Sequence, residues 1–401
     1  MRKIDLTNFT IASSETARYI NRRIALNLIR RNQLMSRAEL ARRSGLQRST
    51  VSAIVGELIA EGWVTEGATT ASARGRRPRV LHLNVERAGI LAADIRPGHT
   101  RVGLAGLDAR FMIQAAWPTP AEPARMVEEV GRTVQAFRQA HREITCEGMG
   151  VSVAGRVNSA GHLVFAPNLH WRDVELQQML EAATGVPVVV ENAASACALA
   201  ELWFGSHSED VKHLVAVTVS EGVGVGMLVN GQLVHGHDSM AGEFGHTTLV
   251  EDGRLCGCGK RGCWEQYASN SAALRFYREP QPAGPGEDAV SGAETLKYAD
   301  LLDLAERGDA RARAALDLQA HYIGMGLGPI ITGLAPQVVV VVGEVAAAWP
   351  HIHAIVERVA ADRALPSIST RIVATDPNTQ PRLRGAVALV VQQHFGAPEV
   401  A

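Results

Sequence analysis

The sequence predicts an α/β protein headed by a winged helix-turn-helix. Three observations lead there: a basic, Arg-rich head on an acidic body, three short amphipathic helical patterns within that head, and alternating strand and helix patterns beyond it. The chain has 401 residues, enough for two to four domains with real cores. Hydrophobic residues make up 46%, which excludes wholesale disorder. No apolar run approaches the ~20 residues of a membrane span, and Met1–Thr10 lacks the apolar stretch of a signal peptide. Five cysteines are too few for a disulfide scaffold, so a cytoplasmic protein is expected.

The charge is unevenly placed. Met1–Val80 carries 15 Lys+Arg against 6 Asp+Glu, a net of +9, and the remainder carries 25 against 35, a net of −10. Fourteen of the 15 are Arg, the side chain suited to phosphates and guanine edges. The head is therefore the part expected to meet a polyanion, the alternative being a solvated charged surface.

The head reads as helices followed by a hairpin. In Ala17–Arg31, Ile20, Ile24 and Leu28 recur every four residues with Ile29 beside them, one apolar helical face. Ser36 caps a second helix, Arg37–Ser44, with Glu39 at capping-box spacing and Leu40 and Ala41 inward. Gly45 ends it. A third helix runs from near Gln47 to about Glu61 with Val51, Ile54, Val55 and Leu58 inward. Its outward first turn offers Gln47, Arg48, Ser49, Thr50 and Ser52, the hydrogen-bonding face of a recognition helix. Trp63–Thr65 and Arg79–Leu83 alternate like hairpin strands, and Arg74, Arg76 and Arg77 between them form a basic wing. Gln47 and Arg48 are expected to read bases, and Arg76 and Arg77 to contact phosphate or the minor groove.

The body is built of α/β units. Gly89–Asp94, Val102–Leu107, Glu147–Val153, Val186–Val190, Leu214–Val219, Val223–Val229 and Val338–Val342 read as strands. Arg125–His141, Val174–Thr184, Ala193–Phe204 and Ala310–Leu334 read as helices, and Glu279–Asp288 as a loop.

The sharpest chemical signal is Cys256-Gly257-Cys258-Gly259 with Cys263 five residues on and His246 ten upstream. Three thiolates and an imidazole make a closed tetrahedral zinc set of the structural kind, one Zn2+ per chain. Free thiols or a disulfide are the alternatives. Cys146 stands isolated, and Cys197 in an Ala-rich helix reads as a small core residue.

The segment Gly242-Glu243-Phe244-Gly245-His246, followed by Cys256-Gly257-Cys258-Gly259-Lys260-Arg261-Gly262-Cys263-Trp264-Glu265, resembles the signature of the ROK family of repressors, open reading frames and sugar kinases. Pro167-Asn168-Leu169, Glu191-Asn192 and Leu383–Ala386 fall where that family has related motifs. The resemblance implies a two-lobed actin-like ATPase fold behind a winged helix-turn-helix carried only by the repressor branch. The expected layout is an N-terminal arm at 1–16 and the DNA-binding domain at 17–84. Lobe 1 takes 85–202, completed by a C-terminal helix 385–401, and lobe 2 with the zinc site takes 203–384.

The kinase equipment that the resemblance implies is altered at four places. The first phosphate loop reads Asp94-Ile95-Arg96-Pro97-Gly98-His99-Thr100, where Pro97 offers no N–H. The second reads Ser220-Glu221-Gly222, with a carboxylate near the expected phosphates. The general-base position after Asn192 is Ala193, which cannot accept a proton, and the adenosine motif is only Gly343-Glu344. An enzyme is therefore not expected. On the sugar side, the resemblance assigns Asn168, Asn192, Glu243, His246 and Glu265 to sugar hydroxyls, groups that amides and carboxylates can bond in pairs. The expected function is a repressor of carbohydrate-metabolism genes. It would bind a symmetric double-stranded operator as a homodimer or homotetramer, with a sugar or sugar phosphate closing the lobes and changing the spacing of the two heads, and with no membrane partner. The alternatives are an active sugar kinase with an appended DNA-binding domain, and a regulator controlled by a protein partner.

Overall fold

The computed structural model describes residues 14–31, 35–67, 79–84, 88–207, 210–279 and 296–396. In the head, α1 spans Ser14–Arg31, α2 Arg37–Ser44 and α3 Arg48–Ala60. Ser36 Oγ accepts from the Glu39 amide at 3.2 Å, and Gly45 closes α2 with φ +71°. The reciprocal half of the expected capping box is replaced, because the Glu39 carboxylate turns to Arg42 and Arg43. Strands Val64–Gly67 and Val80–Leu83 pair antiparallel, and Met35–Ser36 adds a short third strand on the other edge. The wing residues Arg74, Arg76 and Arg77 lie outside the described residues, as do the arm before Ser14 and most of the 279–288 loop.

The fully buried face of α1 is Ala25, Leu26 and the expected Ile29, with Leu28 partly buried against the same cluster and Ile20 half-buried. Ile24 is exposed. The stripe is rotated because α1 packs on two surfaces at once, α2 and α3 on one side and the C-terminal helix on the other.

The body contains two five-stranded sheets of the same topology. In the first, strands Ala88–Ile95, Thr100–Gly106 and Phe111–Trp117 form an antiparallel meander, extended by parallel strands Thr145–Val153 and Val188–Asn192. In the second, Leu214–Val219, Val223–Val229 and Gln232–Leu233 form the meander, extended by parallel strands Val338–Val342 and Arg371–Ala374. Every residue of Val338–Val342 is buried, as suits a parallel strand covered on both faces by helices. Helix Ala193–Phe204 and strands Leu214–Val219, Val223–Val229 and Val338–Val342 sit where the sequence patterns place them.

Helices Ala193–Phe204 and Pro381–Phe395 pack closely at the centre. A Cβ on Gly385 would stand 2.5 Å from the Ala196 carbonyl oxygen, and one on Gly150 would stand 1.8 Å from that of Ala386, so both crossings require glycine. The 381–395 helix also carries the head. Arg23 and Asn27 of α1 donate to the carbonyls of Gln393, Phe395 and Gly396 at its end. Phe395, 1% exposed, packs edge-on against Trp63 of the head at 5.9 Å and Trp203 of the body at 6.4 Å. His394 lies 4.8 Å from the Trp63 ring, and the Arg30 guanidinium lies 4.5 Å from the ring centre of Trp203. One continuous apolar cluster therefore runs from Ile29, Leu40 and Leu58 into Val387 and Val391. Among the described residues no helix is long and apolar enough to cross a membrane.

Candidate metal centre, ligand cleft and nucleic-acid interface

The metal cluster is assembled on a loop that glycine holds against a strand. Gly242 has φ +93°, and a Cβ there would lie 2.2 Å from the Val225 carbonyl oxygen. Gly245 meets Val223 in the same way. This tight approach presents His246 to the cysteine loop. Trp264, 1% exposed, anchors that loop by donating from Nε1 to the Tyr322 carbonyl at 2.7 Å, on the long helix Ala310–Leu334. One ligand atom from each of His246, Cys256, Cys258 and Cys263 lies within 4.8 Å of the others. Cys258 and Cys263 sulfurs are 3.6 Å apart, and Cys256 Sγ is 3.5 Å from His246 Nδ1. Zn–S bonds of about 2.3 Å set tetrahedral edges of about 3.8 Å, so the donor set fits zinc. Burial pushes the Cys256 thiol up, and the Glu265 carboxylate, which takes its hydrogen bond at 2.9 Å, adds to the rise.

Two of the expected sugar residues, Glu243 and Glu265, flank His246 of this centre. Glu243 Oε2 lies 3.7 Å from His246 Nε2, so the imidazole faces the cysteines with one nitrogen and Glu243 with the other. Glu265 Oε1 lies 3.6 Å from His246 Nδ1, and its Oε2 would be 2.9 Å from a Cβ on Gly222. Asn192 ends strand Val188–Asn192 and caps the next helix: its Oδ1 accepts from the Ala194 amide at 2.8 Å, and Nδ2 donates to the Gly155 carbonyl at 2.8 Å. Asn192 thus has a structural task that the sequence reading did not anticipate. Asn168 sits exposed in a single 3-10 turn, Pro167–Leu169, beyond strand Leu163–Ala166. Ala193, where the resemblance places a general base, is buried at the helix start.

The carboxyl ends of the parallel strands face each other across the lobes, the place where α/β sheets hold ligands. Two contacts join the lobes near the strand ends at Glu191 and Arg156. His235 Nε2 lies 2.9 Å from Glu191 Oε2, and Arg156 Nη1 contacts the Met240 sulfur. At the phosphate loops, Arg96 Nε donates to Asp94 Oδ2 at 2.9 Å and Nη1 to Glu344 Oε1 at 3.2 Å. Arg382, 5% exposed, donates from Nη2 to Ser220 Oγ at 2.8 Å. Arg96, Glu344 and Arg382 in these roles were missed by the sequence reading. Asp94 and Arg96 are two residues apart, but nothing local announces a partner at Glu344.

In the head, Gln47, Arg48, Ser49 and Ser52 are exposed and Thr50 is half-buried at the start of α3. The other arginines of the described head are largely engaged. Arg18 pairs with Glu57, Arg22 with Glu61, Arg37 with Glu66, and Arg42 and Arg43 with Glu39. Arg48 has no carboxylate partner among the described residues, so its charge is available on the face expected to read DNA.

Residues 20–65 match a winged helix-turn-helix DNA-binding family, and residues 92–393 match the ROK family. The chain belongs to the ROK family. Among ROK relatives, a xylose repressor of Bacillus spizizenii is 28% identical over 366 residues, covering 89% of this chain and 91% of its own. A glucokinase of Streptomyces coelicolor is 36% identical over 196 residues, 49% of this chain and 61% of the enzyme. Among solved structures, a ROK transcriptional regulator described as a homolog of the E. coli MLC protein superposes with a TM-score of 0.80. It is 22% identical and covers 96% of this chain and 99% of its own. A ROK glucokinase from Streptomyces griseus, solved with glucose and AMPPNP, gives a TM-score of 0.67 at 28% identity, covering 75% of this chain and 98% of its own. The chain is thus a winged helix-turn-helix joined to a kinase-like ROK body.

Proposed function

We propose that this ROK protein is a transcriptional repressor of carbohydrate-metabolism genes whose kinase-like body senses a sugar and transfers no phosphate. The observation that carries the reading is the span of the xylose-repressor similarity, which includes head and body alike. Gln47, Arg48, Ser49, Thr50 and Ser52 read the operator, and Arg74, Arg76 and Arg77 hold its backbone. A homodimer or homotetramer supplies the two-fold symmetry that a symmetric operator requires.

His246, Cys256, Cys258 and Cys263 would hold one structural zinc. A metal there orders the loop and supplies no open position for catalysis. As a thiolate, Cys256 no longer donates to Glu265, which leaves that carboxylate free to accept from a sugar hydroxyl. Glu243, Glu265, His246, Asn192 and Asn168 form the sugar-facing set. Sugar binding between the lobes changes the spacing of the paired heads, and must favour one spacing by a real free-energy difference to regulate anything.

The glucokinase similarity favours a second reading, an active kinase with a DNA-binding head. Ala193 argues against it, because the position has no proton acceptor and general-base catalysis is worth roughly 10²–10⁴-fold. Incubation with ATP and a broad sugar panel separates the two: the repressor reading expects no sugar phosphate, and measurable turnover refutes it. For the DNA role, Arg76→Ala should flatten the log–log salt dependence of operator binding by about one unit, and an unchanged slope rejects that contact.

A further inference from the structure

One of the contacts between the lobes turns on a single arginine that bonds a carboxylate on each. Arg96 follows the first strand of the first sheet, and Glu344 follows strand Val338–Val342 of the second. The guanidinium reaches both carboxylates, Asp94 at 2.9 Å on its own lobe and Glu344 at 3.2 Å on the other. Both ends are set by backbone that holds them in place. The Arg96 carbonyl accepts from Thr119 Oγ1 at 2.7 Å, and Thr119 also bonds Thr100 at 2.9 Å. Glu344 opens a 3-10 turn after Gly343, whose φ is +123° and whose Cβ, were there one, would lie 2.1 Å from the Val219 carbonyl oxygen. The second oxygen of Glu344 accepts from Asn270 Nδ2 at 3.1 Å, and the Asn270 amide donates to the Ser220 carbonyl at 2.8 Å. The chain Asp94–Arg96–Glu344–Asn270–Ser220 therefore runs from the first lobe into the loop of the second without a gap.

We propose that Arg96 is a positioning residue, a built-in clasp whose guanidinium ties the two lobes together between Asp94 and Glu344. Its two halves differ in kind. Asp94 is 2% exposed, and its charge needs Arg96 whatever the lobes do. Glu344 is half exposed, so the bond to it can open into water at little cost. The clasp therefore opens at Glu344, with Arg96 staying on Asp94. That opening lets the lobes change their spacing on this side, and its bearing on regulation rests on the function proposed above. The clasp itself requires neither DNA nor sugar to be observed.

Glu344→Gln is the test, because it leaves the buried Asp94–Arg96 pair intact. Hydrogen–deuterium exchange is followed on the full chain, without DNA or sugar, in peptides covering 94–100 and 343–348. The expected result is a rise of about two- to fivefold in both peptides, the scale of a partly exposed ion pair. In the unaltered protein, raising the salt concentration reproduces the rise, and in Glu344→Gln salt adds nothing further. Arg96→Lys keeps the charge beside Asp94 but loses the fork, and should show the same two-sided rise, not additive with Glu344→Gln. A rise confined to 343–348, additive effects, or no salt dependence overturns the clasp. Failure of DNA binding or of sugar binding leaves these exchange results untouched and counts against the function proposed above instead.

Discussion

Replacing Phe395 by alanine opens the seam of the apolar cluster that runs from the head into the body. The ring is 1% exposed and stands between Trp63 and Trp203. Truncating a buried Phe costs about 3–5 kcal/mol, and each lost aromatic contact adds roughly 0.5–1.5 kcal/mol where it is not already counted in the burial. A loss near 4 kcal/mol is expected, a large part of the 5–15 kcal/mol that holds a typical domain. Leu40, Val51, Ile54 and Leu58 still form a core inside the head, so the head should survive as a unit and come away from the body. Urea unfolding followed by tryptophan fluorescence and far-UV circular dichroism measures this directly. Fluorescence, to which Trp63 and Trp203 contribute two of six tryptophans, should show an added early transition at lower urea than circular dichroism reports for the body. Coincident transitions with a loss below about 1 kcal/mol would refute the packing argument.

Three further outcomes follow from the structure. Burial, with Arg23 and Arg22 nearby, holds the His394 imidazole below its ordinary range. The unfolded chain then binds more protons than the folded one, so stability falls as pH drops from the ordinary His value toward the lowered one. His394→Gln should remove that slope from the thermal midpoint measured between pH 5 and 7.5; an identical slope in the variant would assign the pH dependence elsewhere. Metal analysis of purified protein should find about one zinc per chain, and Cys258→Ser should lower both the metal content and the melting temperature; a metal-free, equally stable protein would remove zinc from the account. Glu243→Ala should abolish sugar-dependent thermal stabilisation, which at 100 times the dissociation constant amounts to about 2.7 kcal/mol; undiminished stabilisation would place the sugar elsewhere.

The local signals in the sequence were read well where one short segment decides the outcome. Ser36 and Gly45 bracket α2 because a cap and a left-handed stop are properties of single residues. Val338–Val342 declares a buried strand by having no polar side at all. The cysteine spacing points to a metal because three donors fall on one turn of chain. Other features depend on partners far along the chain. Phe111–Trp117 was missed because an edge strand exposes Met112 and Ala116, which leaves no polar alternation to see. The α1 stripe came out rotated because Phe395 and its helix, more than 360 residues away, decide which side is inside. The count of 15 basic residues overstates the arginines free to meet a polyanion, since Glu39, Glu57, Glu61 and Glu66 engage Arg18, Arg22, Arg37, Arg42 and Arg43 once the helices fold, while the net +9 already subtracts those acids. Arg96 shows the same limit: its near partner Asp94 is legible, and Glu344, 248 positions away, is not.

The most direct test is fluorescence anisotropy of the zinc-loaded full chain on a duplex selected from genomic fragments for binding to it. Titrations are run at fixed salt with and without saturating xylose, and again with glucose. The account predicts nanomolar-range binding that one of these sugars weakens by at least about fivefold, a coupling near 1 kcal/mol. Failure to select any duplex, or an affinity that xylose, glucose and their phosphates all leave unchanged, would contradict it.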